Sequence, residues 1–141
     1  MQWQSAVEAF DANDVVEAQQ QFKDCPPQSK FLYSLAVCNL KLDQPDKALL
    51  ILSECLSRDE YFAVAYYLRG CLHLANRNAD LAYQDFNDAL MNLRGNEFID
   101  YSQLGLQIKL LSWMCYWSRG VAQGKRGNVG VSLTLVSVLI R

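Results

Sequence analysis

The sequence predicts an all-α fold, a solenoid of stacked helical hairpins, from three observations. Apolar residues recur at three- and four-residue spacing through most of the 141 residues. A small residue recurs on the first helix of each hairpin, at Ala6, Ala36, Gly70 and Gly120, in steps of 30, 34 and 50 residues. A small and a large residue four apart recur on the second helices, as Ala18 with Phe22, Ala48 with Leu52 and Ala82 with Phe86, and these steps are again 30 and 34. Two independent positions thus report one period. A hairpin of this size cannot bury its apolar stripe alone, so several must stack.

The elements follow in order. Trp3, Ala6, Val7 and Phe10 mark a first helix over residues 2–11, and Asn13-Asp14 can cap a second that carries Val15, Val16, Ala18 and Phe22. Cys25-Pro26-Pro27 ends that hairpin, because proline cannot extend a helix and pushes the preceding residue out of the helical region. In the second hairpin the turn is Leu42-Asp43-Gln44-Pro45, with Asp43 as a cap and Pro45 in the first turn of the next helix. Asn76-Arg77-Asn78 is the turn of the third. The small residue at Gly70, with Ala82 and Phe86, resembles the tetratricopeptide repeat. Tyr116-Trp117-Ser118-Arg119-Gly120 parallels Tyr66-Tyr67-Leu68-Arg69-Gly70 and opens a fourth repeat, but the helix signal then fades. Val129 to Ile140 is uncharged and β-branched, contains Gly130, and is too short for a membrane span. The expected organisation is a repeat domain over residues 1–122, with three clear repeats, an insertion near 93–102 and an eroded fourth repeat. Residues 123–141 then form a degenerate closing helix or a truncated end.

Composition excludes several function classes. At 51% hydrophobic and 20% charged residues the chain is too apolar for disorder, and a net charge of -2 gives no reason to expect nucleic acid or an anionic membrane as partner. Met1-Gln2-Trp3-Gln4 lacks the basic start and apolar run of a secretory signal, so no membrane insertion is expected. Five cysteines without a C-x-x-C pair read as buried small apolar residues in a reducing compartment, which places the chain in the cytoplasm. No catalytic set is visible, so the chain is not expected to be an enzyme or to hold a metal or cofactor. His73 reads as a satisfied core or groove histidine, Gly124-Lys125-Arg126-Gly127 lacks the ending of a phosphate-binding loop, and Asp80, Asp85 and Asp88 read as a solvated helix face.

The break in the period is the most informative feature for function. The last small-residue step exceeds the one before it by 16 residues, and the excess holds Leu93-Arg94-Gly95-Asn96-Glu97-Phe98-Ile99-Asp100-Tyr101. An insertion cannot enter the packed core of a solenoid, so it emerges as a loop on one face, often the binding one. Arg94, Asn96 and Asp100 place a guanidinium fork, an amide and a carboxylate within seven residues, Gly95 allows a tight backbone, and Phe98 and Ile99 can anchor the loop. A second signal lies in the first helices, where Trp3, Tyr33, Tyr67 and Trp117 fall at equivalent offsets. They are either partly core or an aromatic stripe on the concave groove. The second case gives the competing reading, a general scaffold that holds an apolar peptide against Tyr33, Tyr67 and Trp117.

Three stretches carry a resemblance to a known family: Asp59-Glu60-Tyr61-Phe62-Ala63-Val64-Ala65-Tyr66-Tyr67-Leu68-Arg69-Gly70, then Ala89 through Tyr101 with its L-R-G-N-x-x-I-D-Y string, then Leu104-Gly105-Leu106-Gln107-Ile108-Lys109-Leu110. Together they resemble the NADPH oxidase activator family over about Trp3 to Leu111. The resemblance implies a non-catalytic adaptor whose repeat domain binds a Rac-type small GTPase in its GTP form and, in full-length context, activates a superoxide-generating NADPH oxidase complex. It implies contacts from Arg94, Asn96 and Asp100 in the insertion, an apolar contact at Phe98, and contributions from Ser29 and Asp59 in the two earlier connections. Tyr61 stands where the family's phagocyte protein has His. The chain is expected to stop before the segment through which family members activate the oxidase.

Overall fold

The computed structural model describes residues 2–12, 14–24, 28–104, 106 and 108–124. The expected turn at Cys25-Pro26-Pro27, Asn13, and everything from residue 125 on lie outside the described residues, as does the Trp3 side chain. Among the described residues the chain is helical except at the insertion. It packs as two compact units that divide between Glu60 and Tyr61.

The first unit holds α1 (Gln2–Asp11), α2 (Val15–Asp24), α3 (Ser29–Lys41) and α4 (Pro45–Arg58). Its core gathers Ala6, Ala18, Phe22, Leu35 and Cys38, with Val7, Phe10, Val15 and Ile51 packed against them. The small residues are fully covered, and their large partners Phe22 and Leu52 are buried beside them, as the period requires. Asp14 caps α2 by accepting the Glu17 amide at 3.3 Å. Asp43 does not cap α4. It takes a left-handed conformation with φ 58°, the N-terminal position falls to Gln44 without a side-chain bond, and Pro45 opens the helix as expected. The turn needs a positive φ, and Asp is among the few residues that tolerate it. Gln19 bonds both the buried Asn39 amide oxygen and Gln44 Oε1, the latter at 3.2 Å.

The second unit holds α5 (Ala63–Ala75), α6 (Ala79–Leu93), a two-stranded insertion and α7 (Ser112–Gly124). Ala82 and Phe86 of α6 are fully buried, and the Phe86 ring packs 5.5 Å from that of Tyr67. Asp85 corrects the expectation of a solvated acidic face. It is 3% exposed and takes a two-pronged bond from Arg69, Nε to Oδ2 at 2.8 Å and Nη2 to Oδ1 at 2.7 Å. Burial holds the His73 imidazole, 3.7 Å from the same carboxylate, below its ordinary range. We expect Asp85→Ala to cost about 3 kcal/mol, because it removes the buried carboxylate that takes two bonds from the half-buried Arg69 fork. A lower urea midpoint at unchanged slope would show this, and an unchanged midpoint would refute it.

The described cysteines, Cys38, Cys55, Cys71 and Cys115, are buried free thiols. Burial pushes Cys38 and Cys115 up to about 12, so they behave as small apolar residues. Among the described residues no helix is long and apolar enough to cross a membrane.

Candidate functional site

The insertion begins with a strained helix end. Arg94 follows α6 in the left-handed conformation, φ 55° and ψ 40°, and Gly95 continues it at φ 80°. The turn is closed by the Arg94 amide to the Met91 carbonyl at 3.1 Å and the Asn96 amide to the Leu93 carbonyl at 3.0 Å. Glycine is the residue that this helix end ordinarily takes, and an Arg there costs about 1 kcal/mol. The backbone is thereby fixed at the positions whose side chains are exposed.

Beyond the turn, β1 (Phe98–Asp100) pairs antiparallel with β2 (Lys109–Leu111), matching Phe98 with Leu111, Ile99 with Leu110 and Asp100 with Lys109. Alternation splits this hairpin into two faces. The inner face carries Leu110, fully buried, and the half-buried Ile99. The outer face carries Phe98, Asp100, Lys109 and Leu111. Phe98 is 46% exposed and therefore does not anchor the loop, against the expectation from sequence.

Tyr101 is the anchor instead. It is buried, its ring lies 5.4 Å from that of Phe62, and its hydroxyl accepts the Val64 amide at 3.3 Å. That amide is one of the orphan donors at the start of α5, whose N-cap Phe62 offers no side-chain bond, so the insertion caps the helix on which it rests.

The expected polar residues are brought together here. Arg94 and Asn96 are exposed, and among the described residues neither side chain enters a hydrogen bond or an ion pair. The Arg94 guanidinium lies 5.7 Å over the ring of Tyr61, itself 61% exposed. Such a cation–aromatic contact orients the fork without occupying its donors. Asp100 Oδ1 accepts the Ser102 amide at 3.0 Å, and that bond, with a second from the Ser102 side chain and a smaller contribution from the Lys109 charge, holds the carboxylate below its ordinary range and ionised. Arg94, Tyr61, Asn96, Phe98 and Asp100 thus belong to one unit.

Ser29 and Asp59 belong to the other unit and meet at one end of its second hairpin. The Cys55 thiol donates to the Ser29 carbonyl at 3.2 Å, and the Asp59 amide donates to the Cys55 carbonyl at 3.0 Å. Burial, reinforced by the nearby Asp59 charge, pushes the Cys55 thiol up to about 12.

The three groove residues do not form one exposed stripe. Tyr33 is buried, and Tyr67 is fully buried with its hydroxyl 2.9 Å from that of Ser118, while Trp117 is 53% exposed. A large ring enters the core once its polar end has a partner, as Tyr67 does in Ser118. Sequence reasoning gives no role to Lys109 and no sign of the stack of Tyr61 under Arg94. Among the described residues no group of three or more His, Cys, Asp or Glu side chains is placed to hold a metal ion.

Fold and insertion together define a helical-repeat scaffold of the tetratricopeptide type that carries a β-hairpin insertion. Solved structures agree on the fold: the type III secretion translocator chaperone SycD of Yersinia enterocolitica has a TM-score of 0.73 at 14% identity, covering 89% of this chain and 83% of that one. MamA gives 0.66 at 17% identity, covering 96% of this chain and 67% of that one. No protein-family model matches the chain. Among curated proteins it is 33% identical over 125 residues to neutrophil cytosol factor 2 of Mus musculus, covering 88% of this chain and 24% of that protein. It is 30% identical over 127 residues to the NADPH oxidase activator of Dictyostelium discoideum, covering 89% and 21%. The human neutrophil cytosol factor 2 is 35% identical over 110 residues, covering 78% and 19%. The chain belongs to the NADPH oxidase activator family, and it spans about a fifth to a quarter of the length of these relatives.

Proposed function

We propose that this chain is a non-catalytic cytoplasmic adaptor that binds a Rac-type small GTPase in its GTP form, and that it serves the activation of an NADPH oxidase. One observation carries the reading: Arg94 and Asn96 are exposed, have no hydrogen-bond or ion-pair partner among the described residues, and flank Gly95 in a turn whose backbone is left-handed at Arg94 and Gly95. Strained backbone bearing uncommitted polar side chains is a mark of recognition sites. The ionised Asp100 and the exposed Phe98 on the same hairpin add an acceptor and an apolar contact. A γ-phosphate orders a GTPase switch loop, so fixed groups that read the ordered loop gain affinity only in that state. The names of the relatives, cytosol factor and oxidase activator, support the cellular context.

A peptide-holding scaffold is the second reading. Trp113, Tyr116 and Trp117 of α7 are all more than half exposed, which favours it, and SycD has been solved with a peptide of the translocator YopD. Titrating the purified chain with a Rac GTPase loaded with a non-hydrolysable GTP analogue, and in parallel with GDP, separates the two. We expect association with the GTP form alone. A folded chain that binds neither form, or both equally, would move the assignment to the scaffold.

A further inference from the structure

We propose that Lys109 is a contact and specificity residue of the insertion face and receives a carboxylate of the bound GTPase. The inference rests on the reading just given. Lys109 lies on β2, opposite Asp100 in the strand register, and the pairing places it on the outer face with Phe98 and Asp100.

An exposed lysine facing a carboxylate across a strand pair would ordinarily close an ion pair. Here it does not: among the described residues Lys109 makes no ion pair, and its ammonium rests 4.4 Å from the centre of the Phe98 ring. The Asp100 carboxylate is accordingly held by Ser102 and not by the facing lysine, the ammonium keeps its three donors uncommitted, and the Phe98 ring is flanked by a positive charge. The outer face therefore offers a cation against an apolar ring, with an anion on the same face of one short hairpin. A partner complementary to it must present an acceptor for Lys109 beside an apolar contact for Phe98. A full negative charge is the acceptor that a compact ammonium selects most strongly.

The Asp100–Lys109 pair also makes this face directional. A partner with the charges reversed would place like charges together at both positions, which suppresses binding in the wrong register.

The test is calorimetric titration of the full chain with the GTP-analogue-loaded GTPase at two salt concentrations. The variants are Lys109→Gln, Lys109→Glu and Lys109→Arg. Lys109→Gln is expected to bind about tenfold more weakly with a shallower salt dependence, and Lys109→Glu about a hundredfold more weakly. Lys109→Arg should stay within about threefold of the parent chain. Thermal unfolding of all three should match the parent, since the side chain is exposed. Lys109→Gln binding within about twofold of the parent would overturn the inference. So would a tenfold loss with unchanged salt dependence, because the lysine would then act only by covering Phe98. If the unmodified chain binds neither nucleotide form, the underlying reading fails and this one with it, an outcome distinct from either of those two.

Discussion

Arg94→Glu is expected to weaken association with the GTP-loaded GTPase by about a thousandfold, beyond the range of an ordinary titration. Truncating an interfacial arginine costs about 2–4 kcal/mol when its fork is fully engaged, and every 1.4 kcal/mol is tenfold. The charge reversal adds to this. The new carboxylate would carry the same sign as Asp100 on the same insertion, and it would lose the attraction to the Tyr61 ring that aims the fork in the free chain. Stability should hardly move, because Arg94 is exposed and makes no ion pair among the described residues. A companion substitution separates binding from folding. Arg94→Gly relieves the left-handed helix end at φ 55° and is expected to raise stability by about 1 kcal/mol while binding is lost. A residue that costs stability where it stands and is needed for association is held by function. If Arg94→Glu associates as the parent chain does, the insertion is a connector and the site lies elsewhere.

The repeat is legible in the sequence because its signal is steric and periodic. Ala6, Ala18, Ala36, Ala48 and Ala82 are all fully buried, so each alanine that the period marks as a close-contact position is one. The start of the insertion is legible for the same reason, since a lost period needs no knowledge of partners. Its internal structure is not. Phe98-Ile99-Asp100 and Lys109-Leu110-Leu111 are three-residue strands, too short for alternation to stand out against a helical period. Without the hairpin, Phe98 looks like an anchor and Lys109 has no role. Asp85 looks solvated because its partner Arg69 sits 16 residues earlier on the facing helix, a pairing that acidic spacing along α6 cannot reveal. The turns at Asp43 and Arg77 hide their left-handed backbone because neither carries glycine, the usual mark of a positive φ, and at the third turn the glycine, Gly95, marks its own position but not that of Arg94 before it.

Gly70→Val should be the most damaging single substitution in the scaffold. A Cβ at Gly70 would stand 2.7 and 2.9 Å from two atoms of the Phe86 ring and 3.2 Å from the Asp85 Cβ. The ring cannot yield, since Phe86 is fully buried and packed on Tyr67. Even alanine is therefore expected to be destabilising by about 1 kcal/mol, an overpacking cost of about 2 kcal/mol outweighing a helix-propensity gain of about 1. Valine adds two methyl groups, loses the propensity gain and pushes on Asp85, whose two bonds to Arg69 depend on its place. A loss of about 4 kcal/mol is expected, which should lower the midpoint of thermal unfolding by about 10 °C or remove the cooperative transition. Gly120 supplies the contrast, for it holds the same repeat position on α7 and a Cβ there meets nothing within 4 Å among the described residues. Gly120→Ala should gain about 0.5–1 kcal/mol from helix propensity alone. Equal damage from Gly70→Ala and Gly120→Ala would instead mean that the close approach of the Phe86 ring is not what makes Gly70 sensitive, since a Cβ at Gly120 has no such neighbour among the described residues.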